Sequence, residues 1–82
     1  MFRWLNKLTG WFMIYTLNAE RIKSIRNELG LSTKDFSKIA GCSEYTIILL
    51  EQGRISISYT SQSRIFAHLF DNGMLDLIHK YF

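Results

Sequence analysis

Eighty-two residues are enough for one domain with a small core that is only modestly stable alone. Hydrophobic residues make up 48% and aromatics 15%, a surplus for this length that points to a shared interface, and a net charge of +3 is compatible with nucleic acid as a partner without requiring it. Cys42 is the only cysteine, which excludes an intrachain disulfide and makes a reducing, cytoplasmic compartment the expected one. Proline is absent, which suits helices joined by short turns.

Residues 1–17, MFRWLNKLTGWFMIYTL, form an apolar extension whose only charges are Arg3 and Lys7. The uncharged run from Leu8 to Asn18 falls short of the ~20 residues of a spanning helix, so no membrane is expected. No small-residue cleavage site follows, which argues against a signal peptide. Phe2, Leu5, Leu8 and Phe12 fit one helical face, whereas Trp11 to Leu17 is aromatic and β-branched like a strand. Further on, Arg54-Ile55-Ser56-Ile57-Ser58-Tyr59 alternates polar and apolar. Both readings stay open: a strand pair between these two segments, or an extension packed on the core with no ladder.

The remainder, residues 18–82, reads as helices. Asn18 caps a first helix running to Leu29, with Ile22, Ile25 and Leu29 as its buried stripe and Gly30 closing it. Ser32 caps the next, Asp35 completes an S-x-x-D capping box, and Leu31 is placed to staple onto Phe36. Phe36, Ile39 and Ala40 mark its face, and Gly41 stops it. Only Cys42 intervenes before Ser43 caps a third helix, which carries Ile47 and Leu50 inward and ends at Gly53. Two helices joined by so short a turn cross steeply. Ser58 or Thr60 caps a fourth helix reaching about Phe70, with Ile65, Phe66 and Leu69 as its core positions. Asp71-Asn72-Gly73 is a turn, and a last helix from Met74 to Tyr81 carries Leu75, Leu77 and Ile78, with Phe82 following.

Three elements of this order, IRNELGLS, AGCS and TIILLEQG, resemble the Cro and phage-repressor type of helix-turn-helix, the Xre family. The resemblance runs from about Ile22 to about Leu69. It implies an all-α, lambda-repressor-like domain of about five short helices over 18–82, with the N-terminal extension as an added helix or short strand. It implies a partly buried ion pair between Arg26 and Glu51, tying the first helix to the recognition helix. Gln62 departs from the pattern, which has an aliphatic residue there.

The function implied is that of a sequence-specific regulator binding double-stranded DNA as a homodimer on a near-palindromic operator, with the recognition helix, residues 43–52, in the major groove. By the same resemblance Glu44, Tyr45 and Leu49 contact bases, Ser43 lies beside the backbone, and Leu75, Leu77, Ile78 and Phe82 make the dimer contact. Ile48 shares the outward face. Thr33 stands where the family has a glutamine that touches a phosphate. Lys34, Lys38 and Arg54 are the candidate phosphate contacts. Related recognition helices are rich in Arg, Gln, Ser and Asn; this one offers a glutamate, a tyrosine and two aliphatics. A glutamate accepts from cytosine N4 and an aliphatic chain touches a thymine methyl, but an apolar face also suits a protein partner. The competing expectation is therefore a protein-interaction module with the same fold and little DNA readout. An enzyme is not expected, because the sequence has no nucleophile–base pair, no metal-ligand cluster and no phosphate loop. His68 and His79 sit on different helices without partners at ligand spacing, so neither a metal nor a cofactor is expected.

Overall fold

A computed structural model describes residues 17–82; the possible strand or helix within residues 1–16 lies outside them. The described residues form five helices: α1 (Ala19–Glu28), α2 (Thr33–Ala40), α3 (Glu44–Glu51), α4 (Tyr59–Asp71) and α5 (Leu75–Tyr81). Four of the five start on the side chain that the sequence nominates. Asn18 accepts from the Arg21 amide at 2.8 Å, Ser32 from Asp35 at 3.1 Å, Ser43 from Thr46 at 3.1 Å and Ser58 from Ser61 at 3.1 Å. Each satisfies one of the orphan donors of a helix start. For α4, Ser58 rather than Thr60 is the cap.

The segment Arg54 to Ser58 is a loop, and no strand occurs among the described residues. The alternation in this segment has another cause. Ile57 inserts into the core with 8% of its surface exposed, while Ile55 stays 43% exposed. The loop leaves α3 through a Schellman closure, in which Gly53 N–H donates to Leu50 O at 3.1 Å and Arg54 N–H to Leu49 O at 3.0 Å.

Ile22 and Ile25 of α1, Phe36 and Ala40 of α2, Ile47 and Leu50 of α3, and Ile65 and Leu69 of α4 are buried together with Leu17 and Ile57. Helix α2 packs on α3 and α4, and α1 packs on α3 and α5. Each large aliphatic so buried contributes roughly 1.5–3 kcal/mol. Phe66, expected in this core, is only half-buried. Its ring lies 6.2 Å from Phe70, stacked, and 5.4 Å from Phe82, edge-on, so it belongs to an aromatic cluster where α4 meets α5. Gln62 is buried, and its Oε1 accepts from the Leu17 amide at 2.6 Å. A buried polar side chain thus holds the Leu17 amide, and both groups have the partner they need.

The turn between α2 and α3 also meets a side chain of the neighbouring helix α4. Gly41 has φ +74°, a conformation glycine adopts without steric cost. Arg64 of α4 reaches across it and donates from Nε to Ile39 O at 3.2 Å. A Cβ on residue 41 would lie 2.5 Å from that Nε. Glycine is needed for the backbone angle, and any side chain at residue 41 would displace the exposed arginine that passes over it.

Candidate nucleic-acid interface

Helix α3 is pinned at its C-terminal end. Arg26 Nε lies 2.6 Å from Glu51 Oε2 and Nη2 lies 3.0 Å from Oε1, a two-pronged pair, while Nη1 donates to Leu31 O at 3.0 Å. The two side chains are 16% and 9% exposed. The hydrogen bond to Glu51 outweighs the cost of burial and raises the Arg26 pKa above its ordinary value, so the guanidinium stays charged. Ile47 and Leu50 complete the attachment from the inward face.

This leaves the N-terminal half of α3 at the surface. Ser43, Glu44 and Tyr45 are exposed, Tyr45 at 67%. Gln52 at the other end is exposed as well. Ile48 and Leu49 are half-buried, so the outward face is less apolar than the sequence implies. The Ser43 hydroxyl, besides capping the helix, lies 2.9 Å from Thr46 Oγ1. Thr33, half-buried at the start of α2, donates its hydroxyl to Glu44 Oε2 at 2.7 Å. The first residues of α2 and α3 are thereby joined at one surface. Lys34 and Lys38, one helical turn apart on α2, and Arg54, just past α3, are all exposed.

Comparison with protein-family models, with curated protein sequences and with solved structures finds no match to this chain. The geometry of the site therefore carries its own argument.

The four residues expected at a dimer contact do not share one environment. Leu75 is 51% exposed, whereas Leu77, Ile78 and Phe82 are half-buried against the chain's own core. Phe70, 60% exposed on α4, was not singled out in the sequence and adds to the apolar surface beside α5. The tail of α5 is tied to α1 by polar contacts: Lys80 Nζ lies 3.0 Å from Glu28 Oε2, and the Tyr81 hydroxyl donates to the same carboxylate.

Among the described residues no cluster of three or more His, Cys, Asp or Glu could hold a metal ion. Cys42 is half-buried in the α2–α3 turn, where burial pushes its thiol pKa up and a hydrogen bond with Ser61 only partly offsets this. A thiol so held is protonated at neutral pH and packs as a small hydrophobe. No helix of the described residues is long and apolar enough to cross a membrane.

Sequence reasoning missed the Thr33–Glu44 bond. The signal was available: each residue is the first after a serine cap, on helices that a three-residue turn brings together. The roles of Gln62 and Arg64 had no such signal, because their partners lie 45 and 25 residues away.

Proposed function

We propose that this chain is a sequence-specific DNA-binding regulator of the helix-turn-helix type, acting as a homodimer on a near-palindromic site. The observation that carries the reading is the exposed start of α3, with Glu44 and Tyr45 beside Thr33 of α2, on a helix whose other end is locked to α1. A rigid helix presenting its N-terminal side chains is what major-groove recognition requires, because bases are read by the first turns of the recognition helix. Lys34 and Lys38 on α2 and Arg54 past the C-terminal end of α3 are exposed, and in this reading they supply sequence-independent phosphate contacts. Two copies bound to half-sites one helical turn apart require their recognition helices about 34 Å apart. In this reading the exposed Phe70 of α4 and Leu75 of α5 form the surface on which the two copies meet.

The alternative, a protein-interaction module, rests on an apolar outward face at Ile48 and Leu49. Both are half-buried, which leaves Tyr45 as the one large exposed hydrophobic of α3 and favours the DNA reading.

The deciding experiment is selection from a pool of random duplexes, followed by a salt titration on what is recovered. The regulator reading expects one enriched near-palindrome and an affinity that falls steeply with salt. No enrichment, or equal affinity for the duplex and for heparin, refutes it.

A further inference from the structure

Phe70 and Leu75 are too small a surface to hold two copies together. At 60% and 51% exposed they present roughly 200 Å² of apolar area between them. A standard interface takes about 800 Å² from each partner, more than half of it apolar. Met74, Leu77 and Phe82 nearby are already half-buried against the chain's own core. A homodimer on this side therefore draws apolar area from elsewhere. The chain's other large store is residues 1–16, which include Trp4, Leu5, Leu8, Trp11, Phe12 and Ile14.

The same side has a place to receive such a segment. A groove of about 600 Å³ opens where the C-terminal end of α1 meets the turn into α5. Leu29, Met74, Leu75 and Leu77 line it with apolar side chains, and Glu28 and Asp76 with carboxylates. Glu28 is engaged by Lys80 and Tyr81, whereas Asp76 has no hydrogen bond or ion pair among the described residues. The charged side chains within residues 1–16 are Arg3 and Lys7, both positive. Segment and groove thus match twice, apolar with apolar and cation with carboxylate. The chain enters the fold at a fixed point, because Leu17 is buried and Gln62 holds its amide. The groove lies at the other end of α1, roughly 15 Å along the helix. The stretch from Lys7 to Leu17 spans up to about 35 Å, enough to reach the groove of a neighbouring copy as well as its own.

We propose that the two copies exchange residues 1–16, each segment lying in the α1–α5 groove of the other with its cations against Asp76. The proposal rests on the homodimer reading above and names what completes that interface. Exchange adds both segments to the contact between copies. A segment folded onto its own groove would instead cover Leu75 and leave Phe70 alone for the second copy.

Trp4 and Trp11 are the only tryptophans, so tryptophan emission reports on this segment alone. Sedimentation and emission are followed together on the full chain over a range of concentration. Emission should move to the blue as the dimer forms, with the same midpoint. Two variants then test the pairing: Arg3→Glu with Lys7→Glu makes the segment acidic, and Asp76→Lys makes the groove basic. Each variant alone brings like charges together and should dimerise with about tenfold lower affinity or less. Mixed, they should form a heterodimer of near wild-type affinity, because each segment then meets a groove of opposite charge. Recovery on mixing also shows that both variants are folded. A segment bound to its own groove gains nothing from mixing. If the unaltered chain dimerises but its emission does not follow, if either variant alone dimerises as the wild type does, or if the mixture stays as weak as its components, this inference fails and the homodimer reading stands. If the unaltered chain is monomeric at every concentration, both fail.

Discussion

Helix α1 holds two other helices, α3 and α5, and it holds them differently. Toward α3 it presents Arg26, in a two-pronged pair with Glu51 that is largely shielded from water, above the fully buried Ile47 and Leu50. Toward α5 it presents Glu28, 37% exposed, paired with a Lys80 that is 61% exposed, and no residue of α5 is fully buried. The same type of ion pair therefore has two uses. Near α3 it fixes the position and angle of a helix, because its geometry is constrained and water is mostly excluded. Near α5 it is a solvated contact of the kind that contributes little. The contrast suits the proposed function: the helix proposed to enter the groove is firmly anchored, and the helix proposed to meet a second copy keeps apolar surface exposed.

The largest expected effect comes from breaking the first seam. Glu51→Ala leaves Arg26 with one partner, the Leu31 carbonyl, in a mostly buried site. The expected cost is about 2–3 kcal/mol, below the ~3–5 of a fully buried pair because Arg26 retains some exposure. A thermal melt should show it as a drop of roughly 10–20 °C for a domain this small. A melt that hardly moves would mean α3 is held by Ile47 and Leu50 alone.

Next comes the turn that sets the angle between α2 and α3. Gly41→Ala forces a Cβ into a left-handed residue, which costs about 1–2 kcal/mol, and also against Arg64. Adding Arg64→Ala should relieve the collision but not the backbone cost, so the double variant should be more stable than additivity predicts. Strict additivity would show that the arginine simply swings away.

The α5 side gives smaller effects of another kind. If Phe70 and Leu75 meet a second copy, the melting temperature should rise with protein concentration. Serine at both positions should abolish that dependence without loss of helix content. A melting temperature independent of concentration in the wild type would remove the dimer from the account.

How much of this was legible in the sequence depends on reach. The helix starts were legible because an asparagine or serine and the amide it caps lie three residues apart. The inward stripes at Ile22–Ile25 and Ile47–Leu50 were legible because helical periodicity is local. Gln62 and Arg64 were not, because a polar residue on a helix face looks solvated until its partner arrives from elsewhere in the chain. The Arg54–Tyr59 alternation misled because period two marks a strand only when another strand pairs with it; here it marks one isoleucine dipping into a core. At the candidate interface the residue types were visible, but the half-burial of Ile48 and Leu49 and the Thr33–Glu44 bond depend on how α2 crosses α3.

Acid should act on the second seam. Hydrogen bonds from Tyr81 and then Lys80 hold the Glu28 carboxyl below its ordinary range. Because the folded-state value is depressed, this contact contributes fully above the carboxylate's unfolded range and is lost as pH falls through the folded value. The protection of α5 amides from exchange, taken relative to the unfolded chain at each pH, should therefore fall at the acid end of that window. Lys80→Ala, the mildest change, should quicken α5 exchange at neutral pH and leave the melting temperature of the domain almost unaltered. If α5 exchange is indifferent to both, its attachment comes from Leu77, Ile78 and Phe82 alone.

The most direct measurement is an amide chemical-shift titration of the full chain with the duplex recovered by selection. The account predicts that the largest shifts fall on Thr33, Lys34, residues 43–49 and Arg54, with residues 75–82 little changed at concentrations where the protein is already dimeric. Shifts confined to α4 and α5, or spread evenly over every exposed lysine and arginine, would contradict it.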